Sequence, residues 1–353
     1  NRDKRKQDMD KGGMTLDEFL AEWNNDDACV LVHTSGSTGK PKPLRVEKKR
    51  MLASPRTTCR FLGLDSSDVA LLCMPLDYIA GKMVVVRSLA CGMRLISVAP
   101  SSHPLSQLAE VPTFAAMVPM QVYCSMQDES ERQKLMEIKN LIIGGGAIDT
   151  SLEEQLRSFP NSVWSTYGMT ETLSHIALRR INDTDGSKAS EYYTPFDGVD
   201  VSSLPDGRLR IYAPEICPEP LVTNDIVEFD STGRNFKVLG RADNVIDTGG
   251  IKVQIEEVEK LLHDVVPYDF AITRVADWKY GEAVAIAVAL PSDKGKEWQQ
   301  KELDRLKEQV DESLHNRYYR PRYYFPVEHI PHTGTGKIAR AEVEKLIDIC
   351  HIH

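Results

Sequence analysis

Positive charge is scarce along this chain: 43 Lys and Arg residues stand against 52 Asp and Glu, a formal net charge of −9. A nucleic-acid binder needs a basic face, so that class is excluded, and any anionic ligand must be held by a few local cations. Long hydrophobic runs are missing too. The longest, Ala283–Leu290, has strand length and falls far short of the roughly 18 apolar residues of a membrane span. No two of the seven cysteines (Cys29, Cys59, Cys73, Cys91, Cys124, Cys217, Cys350) form a C-x-x-C pair, which argues against a zinc site. Scattered cysteines behind no signal peptide read as reduced thiols in the cytoplasm, not disulfides. Internal repeats and low-complexity tracts are absent. The first residue is Asn, which reads as a trimmed start. What is left, 353 residues of ordinary globular composition, is long enough for a sizeable core and two domains.

One stretch near the start concentrates the chemistry. A short apolar strand, Cys29–Val32, runs into Thr34, Ser35, Gly36, Ser37, Thr38, Gly39, Lys40 and Lys42. Glycines let the backbone turn its N–H groups inward, hydroxyls add donors, and lysines add charge, which together suit a polyphosphate. The stretch is not a Walker A loop, because only Ser37 and Thr38 separate Gly36 from Gly39, and Pro41 follows Lys40. Prolines at 41 and 43 argue against a helix running on from Lys40. The stretch predicts a nucleotide triphosphate site.

Thr15 and Glu18 have capping-box spacing ahead of a short helix through Trp23. Helical patterns at Lys48–Leu62 and Met83–Ala90 alternate with strands at Val69–Cys73, Arg94–Val98, Ala115–Val118, Leu141–Ile143 and Val163–Thr166, which predicts a mainly parallel α/β sheet. Strand-end clusters at His33–Gly39, Gly144–Ala147 and Tyr167–Glu171 are expected to face one site, since ligands of such sheets bind beyond the carboxyl ends of the strands. Val199–Val238 reads as a small antiparallel β subdomain. A composition shift at Gly240–Asp243 divides a domain of residues 1–240 from an α+β domain of residues 241–353. In the second domain, Ile255, Val258, Leu262 and Val265, and then Leu303, Leu306, Val310 and Leu314, form core-facing helical stripes, and Phe270–Val275 pairs with Ala283–Leu290.

Four segments occur in the order and spacing of one family: Thr34-Ser-Gly-Ser-Thr-Gly-Lys-Pro-Lys42, Tyr167-Gly-Met-Thr-Glu171, Gly240-Arg-Ala-Asp243 and Pro331-His-Thr-Gly-Thr-Gly-Lys337. On these the chain resembles the acyl-adenylate-forming superfamily of acyl-CoA ligases, peptide-synthetase adenylation domains and luciferases. The likeness runs from Val30 to Arg340 and lacks the long segment that usually precedes the phosphate loop. It implies activation of a carboxylic acid by ATP, then transfer to a thiol, with a small C-terminal domain that turns between the two steps. It further implies that Thr34–Lys42 holds the β- and γ-phosphates, Glu171 binds Mg²⁺ and Thr170 donates to the α-phosphate. By the same likeness Tyr167 stacks on adenine beside Gly168 and Met169, and Gly144, Gly145, Gly146 and Ala147 line its edge. Asp225 and Arg241 would hold the ribose, Lys337 would be the adenylation lysine, Asp243 the hinge, and Gly249 and Gly250 the side facing CoA. Asn224 stands where the family usually has Gly, and Asp247 where many members have Lys.

Around Met169–Leu178 and Arg87-Ser-Leu the chain is similar to the o-succinylbenzoate–CoA ligases of menaquinone synthesis. Such an acid carries a second carboxylate that needs donors or a cation. Tyr78, Gly81, Lys82, Arg87, Ser174 and His175 are the candidates for the acid pocket. The expectation is a cytoplasmic acid–CoA ligase using ATP, Mg²⁺ and coenzyme A, with small-molecule partners and neither nucleic acid nor membrane span. A carrier-protein loader and a catalytically silent nucleotide binder are the alternatives.

Overall fold

The structure is a computed structural model and describes residues 13–33, 43–184, 186–332 and 338–351. Thr34–Lys42 and Lys337 lie outside the described residues. Two compact units are present. One runs to Ser202 and includes Arg210–Leu221 and Phe229–Lys237; the other comprises Ser203–Leu209, Val222–Glu228 and the chain from Val238.

Helix α1 (Leu16–Asn24) opens with the expected capping box. Thr15 Oγ1 accepts from the Glu18 N–H, and the Glu18 carboxylate accepts from the Thr15 N–H. Strands β1 (Cys29–His33) and β2 (Pro43–Glu47) pair antiparallel as a separate two-stranded sheet. The strand expected before the phosphate loop is therefore present and lies outside the main sheet. Val30 and Val32 are buried, but Leu31 is 43% exposed, so only one face of β1 is covered.

The main sheet is built from β3 (Val69–Leu72), β4 (Arg94–Ser97), β5 (Phe114–Met117), β6 (Asn140–Ile143), β7 (Ser162–Gly168), β8 (His175–Arg180) and β9 (Thr194–Pro195), in the order β4-β3-β5-β6-β7-β8-β9. The first five pair in parallel; β8 and β9 add antiparallel. Strands β3, β5 and β6 are buried throughout, as expected of parallel strands covered on both faces. The connections are α2 (Lys48–Leu62), α3 (Ile79–Cys91), α4 (Pro119–Gln127), α5 (Glu129–Glu137) and α6 (Thr150–Leu156). Strands β10 (Asp200–Ser203), β11 (Arg208–Tyr212), β12 (Leu221–Phe229) and β13 (Phe236–Arg241) form a four-stranded sheet in chain order.

Cys59 on α2 and Cys91 at the end of α3 form a disulfide. The reading of all cysteines as reduced thiols is therefore corrected. The two lie 32 residues apart in sequence and meet because α2 and α3 pack side by side, which spacing alone does not reveal.

In the C-terminal unit the sheet order is β15 (Ile251–Gln254), β14 (Val245–Thr248), β17 (Gly281–Ala289), β16 (Phe270–Asp277), with β18 (Tyr323–Val327) parallel beside β17. Residues of β17 alternate between two cores. Val284, Ile286 and Val288 join Ile255, Val258 and Leu262 of α7 (Ile255–Leu262) and Leu303, Leu306 and Val310 of α8 (Lys296–Ser313). Ala283, Ala285 and Ala287 face the other way, with Val343 and Ile347 of α9 (Arg340–His351).

Candidate functional site

Strands β3, β5, β6 and β7 run in parallel, so their carboxyl ends share one edge of the sheet, and the loops from Pro75, Val118, Gly144 and Met169 begin there. Three glycines in or beside these loops are required by contact. A Cβ on Gly81 would stand 2.4 Å from the Pro75 carbonyl oxygen, one on Gly144 would stand 2.1 Å from Thr166 Oγ1, and one on Gly168 would stand 2.4 Å from the Ser174 carbonyl oxygen. Gly145 has φ +82°, where a side chain would be strained, and Gly146 and Ala147 lead to Asp149, which caps α6 through the Ser151 N–H. The Tyr167 ring stands edge-on to Phe236 at 5.0 Å and beside Tyr193 at 5.8 Å.

Between β7 and β8 the chain turns through Met169–Ser174. The Thr172 hydroxyl ties this turn together: it accepts from the Met169 N–H (2.9 Å) and lies 2.7 Å from the Ser174 carbonyl. Leu173 has φ +63°, a left-handed conformation costly for a branched residue and offset by its burial. Cys217 Sγ donates to the Glu171 carbonyl at 2.8 Å, and burial pushes this thiol's pKa up, so it stays protonated. Thr172 lies inside the Met169–Leu178 stretch without being singled out there, and Cys217 carries no motif signal, so the sequence alone identifies neither. Thr172→Val leaves the part-buried Met169 N–H without its acceptor, a cost of about 1–3 kcal/mol. Thermal unfolding should show that loss as a lower melting temperature.

Helix α3 is buried from Gly81 to Ser88, so both of its charges require compensation. Lys82 has it. Its ammonium lies 3.2 Å from a Glu22 carboxylate oxygen and 4.8 Å from the centre of the Phe19 ring, both on α1. Arg87 lies five positions further on, well around the helix from Lys82. Among the described residues no carboxylate pairs with it. Nη2 donates to Ser174 Oγ at 3.2 Å, the buried Nε has no partner, and the guanidinium sits 5.6 Å from the centre of the Phe114 ring. Burial lowers its pKa to about 10, so it remains a cation at neutral pH. The structure therefore joins Arg87, Ser174 and His175 into one group and places Lys82 in another. Tyr78 is 41% exposed at the start of α3.

His175 is buried; Nδ1 lies 3.2 Å from Ser174 Oγ and Nε2 2.9 Å from Thr58 Oγ1. Desolvation, and then the Arg87 charge, hold its pKa well below 6.5. A histidine kept neutral in the fold but charged in the unfolded chain stabilises the fold fully above its unfolded pKa. That contribution drops as pH falls below about 6.5, with a slope of up to about 1.4 kcal/mol per pH unit. Urea unfolding of the wild type between pH 7.5 and 5.5 should show this slope, and His175→Asn should flatten it.

In the C-terminal unit, Arg241 lies 3.5 Å from Asp225 Oδ1 and donates to both oxygens of Asp243, at 2.9 and 2.7 Å. Burial works against ionisation of Asp243, but Arg241 overrides it and the carboxyl pKa is lowered. Asn224 Nδ2 donates to the same carboxylate at 3.4 Å. The candidate ribose pair and the candidate hinge thus form one cluster. Gly249 and Gly250, both with positive φ, make the turn between β14 and β15; the Gly249 N–H donates to the Tyr280 carbonyl, and the Gly250 N–H donates to Asp247 Oδ1 at 2.9 Å. Asp247, where the family often has Lys, holds this turn.

The family profile described as AMP-binding enzyme matches residues 2–210. A probable 2-succinylbenzoate–CoA ligase of Mycobacterium tuberculosis is 28% identical over 347 residues, covering 91% of this chain and 85% of its own. A 2-succinylbenzoate–CoA ligase of Bacillus mycoides is 26% identical, with 95% and 74% covered. Among solved structures, an acyl-CoA synthetase (AMP-forming)/AMP-acid ligase II-like protein from Dyadobacter fermentans superposes with a TM-score of 0.61 at 28% identity, covering 94% of this chain and 93% of its own. The o-succinylbenzoate–CoA synthetase MenE of Bacillus subtilis, in complex with ATP and magnesium ion, superposes at 0.71 with 22% identity, covering 89% and 69%.

Proposed function

The chain belongs to the AMP-binding enzyme family, and from that premise we propose that it is an ATP-dependent acid–CoA ligase acting on o-succinylbenzoate, in menaquinone synthesis in the cytoplasm. The products are o-succinylbenzoyl-CoA, AMP and pyrophosphate. Relatives named 2-succinylbenzoate–CoA ligase support the acid, but one observation carries the reading. Arg87 is a fully buried guanidinium with no carboxylate partner among the described residues. A buried unpaired cation costs several kcal/mol, and a ligand carboxylate offsets that cost. The acid's second carboxylate is such a ligand, and Ser174 is hydrogen-bonded to Arg87.

In the first half-reaction the acid's reacting carboxylate attacks the α-phosphorus and pyrophosphate leaves; in the second the CoA thiol attacks the acyl carbon and AMP leaves. Charge gathers on the phosphates in the first transition state and calls for cations and oriented donors. Thr34–Lys42 and Lys337 supply the cations, and Thr170 supplies a donor. Glu171 is exposed, and among the described residues no cluster of three metal-binding side chains exists. That donor set fits Mg²⁺, which takes one or two carboxylates and completes its shell with phosphate and water oxygens, neutralising phosphate charge. Tyr167 and Gly144–Ala147 hold adenine, and Asp225 and Arg241 hold the ribose. Residues 241–353 act as the mobile domain hinged at Asp243, with Gly249 and Gly250 facing CoA.

Thioester formation from o-succinylbenzoate, ATP, Mg²⁺ and CoA, compared with benzoate and fatty acids, tests this reading. The expected result is a strong preference for o-succinylbenzoate. Acid-dependent pyrophosphate release with no CoA thioester would favour a carrier-protein loader, and no release with any acid would overturn the enzyme reading.

A further inference from the structure

Behind Arg87 lies a row of polar groups: half-buried Ser174, then the buried His175 and Thr58 on α2. Their hydrogen bonds have one self-consistent direction. A guanidinium only donates, so Ser174 Oγ accepts from Arg87 Nη2 across 3.2 Å. The Ser174 hydroxyl proton then needs an acceptor, and among the described residues His175 Nδ1, 3.2 Å away, is the one in reach. An Nδ1 that accepts leaves the proton on Nε2. Nε2–H therefore donates to Thr58 Oγ1 at 2.9 Å, and the Thr58 hydroxyl is left for the Ser54 carbonyl one turn back on α2, at 3.4 Å. In this order every proton in the row has an acceptor within the protein. The reverse tautomer leaves the half-buried Ser174 hydroxyl proton with no acceptor among the described side chains and gives up its hydrogen bond to the imidazole. The Phe196 ring lies 5.6 Å from the imidazole and T-shaped to it.

We propose that His175 is a positioning residue, held by Thr58 as the neutral Nε2–H tautomer, which fixes Ser174 against Arg87 so that the guanidinium turns its free Nε edge to the second carboxylate of a diacid. His175 touches no substrate in this arrangement. It sets selectivity for diacids over monoacids by orienting the cation, and Thr58, outside every motif in the chain, is part of the selectivity device. The proposal rests on the reading of Arg87 as the acid's anchor.

Two measurements test it and separate it from that reading. The first is the ¹⁵N spectrum of the histidine imidazoles in the wild type, with His175 assigned by comparison with His175→Asn. A protonated Nε2 and an unprotonated Nδ1 are expected for His175, and a protonated Nδ1 overturns the proposal. The second is KM and kcat for o-succinylbenzoate and for benzoate in Thr58→Val, Thr58→Ser, His175→Ala and Arg87→Lys. Thr58→Val should raise KM for the diacid several-fold and His175→Ala about tenfold or more, as for a lost buried hydrogen bond. KM for benzoate and kcat should stay nearly constant, and Thr58→Ser should restore the wild-type value. Equal changes for both acids in Thr58→Val and His175→Ala, with Arg87→Lys still abolishing the preference, would overturn the positioning role and leave the anchor standing. An unchanged preference in Arg87→Lys would overturn both.

Discussion

Lys337→Ala is expected to slow adenylate formation by about a hundred- to a thousand-fold, the usual effect of removing one group that stabilises transition-state charge. Thioester formation from supplied acyl-adenylate should stay within a few-fold of the wild type. The asymmetry follows from the charge each step develops. Attack on the α-phosphorus crowds negative oxygens together, and a lysine is a compact ammonium on a flexible stem suited to reach them. Attack of a thiol on the acyl carbon expels AMP with far less new charge on phosphorus. Pyrophosphate release with o-succinylbenzoate, against CoA consumption with synthetic adenylate, separates the two. An equal loss in both steps would count against a role confined to adenylation. Lys337 lies outside the described residues, so its assignment rests on the motif Gly334-Thr-Gly-Lys337.

Much of the fold was legible because the local signals were strong. The expected helix at Lys48–Leu62 has the bounds of α2, and Gly92, in left-handed conformation, ends α3 where a glycine should. Valine and isoleucine alternate with alanine along β17, and each set found its own core. The glycines of the strand-end loops were legible as a pattern; the reason for them, a carbonyl or hydroxyl closer than a Cβ permits, exists only in three dimensions. What stayed hidden depends on partners distant in sequence. Cys59 meets Cys91, Cys217 meets the Glu171 carbonyl, and Thr58 meets His175, 117 residues away. Lys82 and Arg87 look alike in sequence. One is neutralised by Glu22, and the other has no such carboxylate among the described residues, a difference made by where α1 packs.

Arg87→Met is expected to move stability and function in opposite directions. Replacing a buried charge with an apolar side chain of similar length removes a desolvation cost, so the ligand-free variant should gain about 1 kcal/mol or more of stability. Ser174 Oγ loses its guanidinium donor but keeps His175 as a partner, which limits the penalty on that side. The same change removes the cation that meets the ligand carboxylate. Truncating one partner of a buried hydrogen-bonded charge pair costs about 2–5 kcal/mol of binding, so KM for o-succinylbenzoate should rise by roughly 30-fold to a few thousand-fold. KM for ATP should change little, because the phosphate- and adenine-binding segments do not include this side chain. A higher melting temperature together with a weakened diacid site is the signature of a residue kept for its ligand. If Arg87→Met instead destabilised the protein and left KM for the diacid unchanged, the guanidinium would be a packing element and the acid would be held elsewhere.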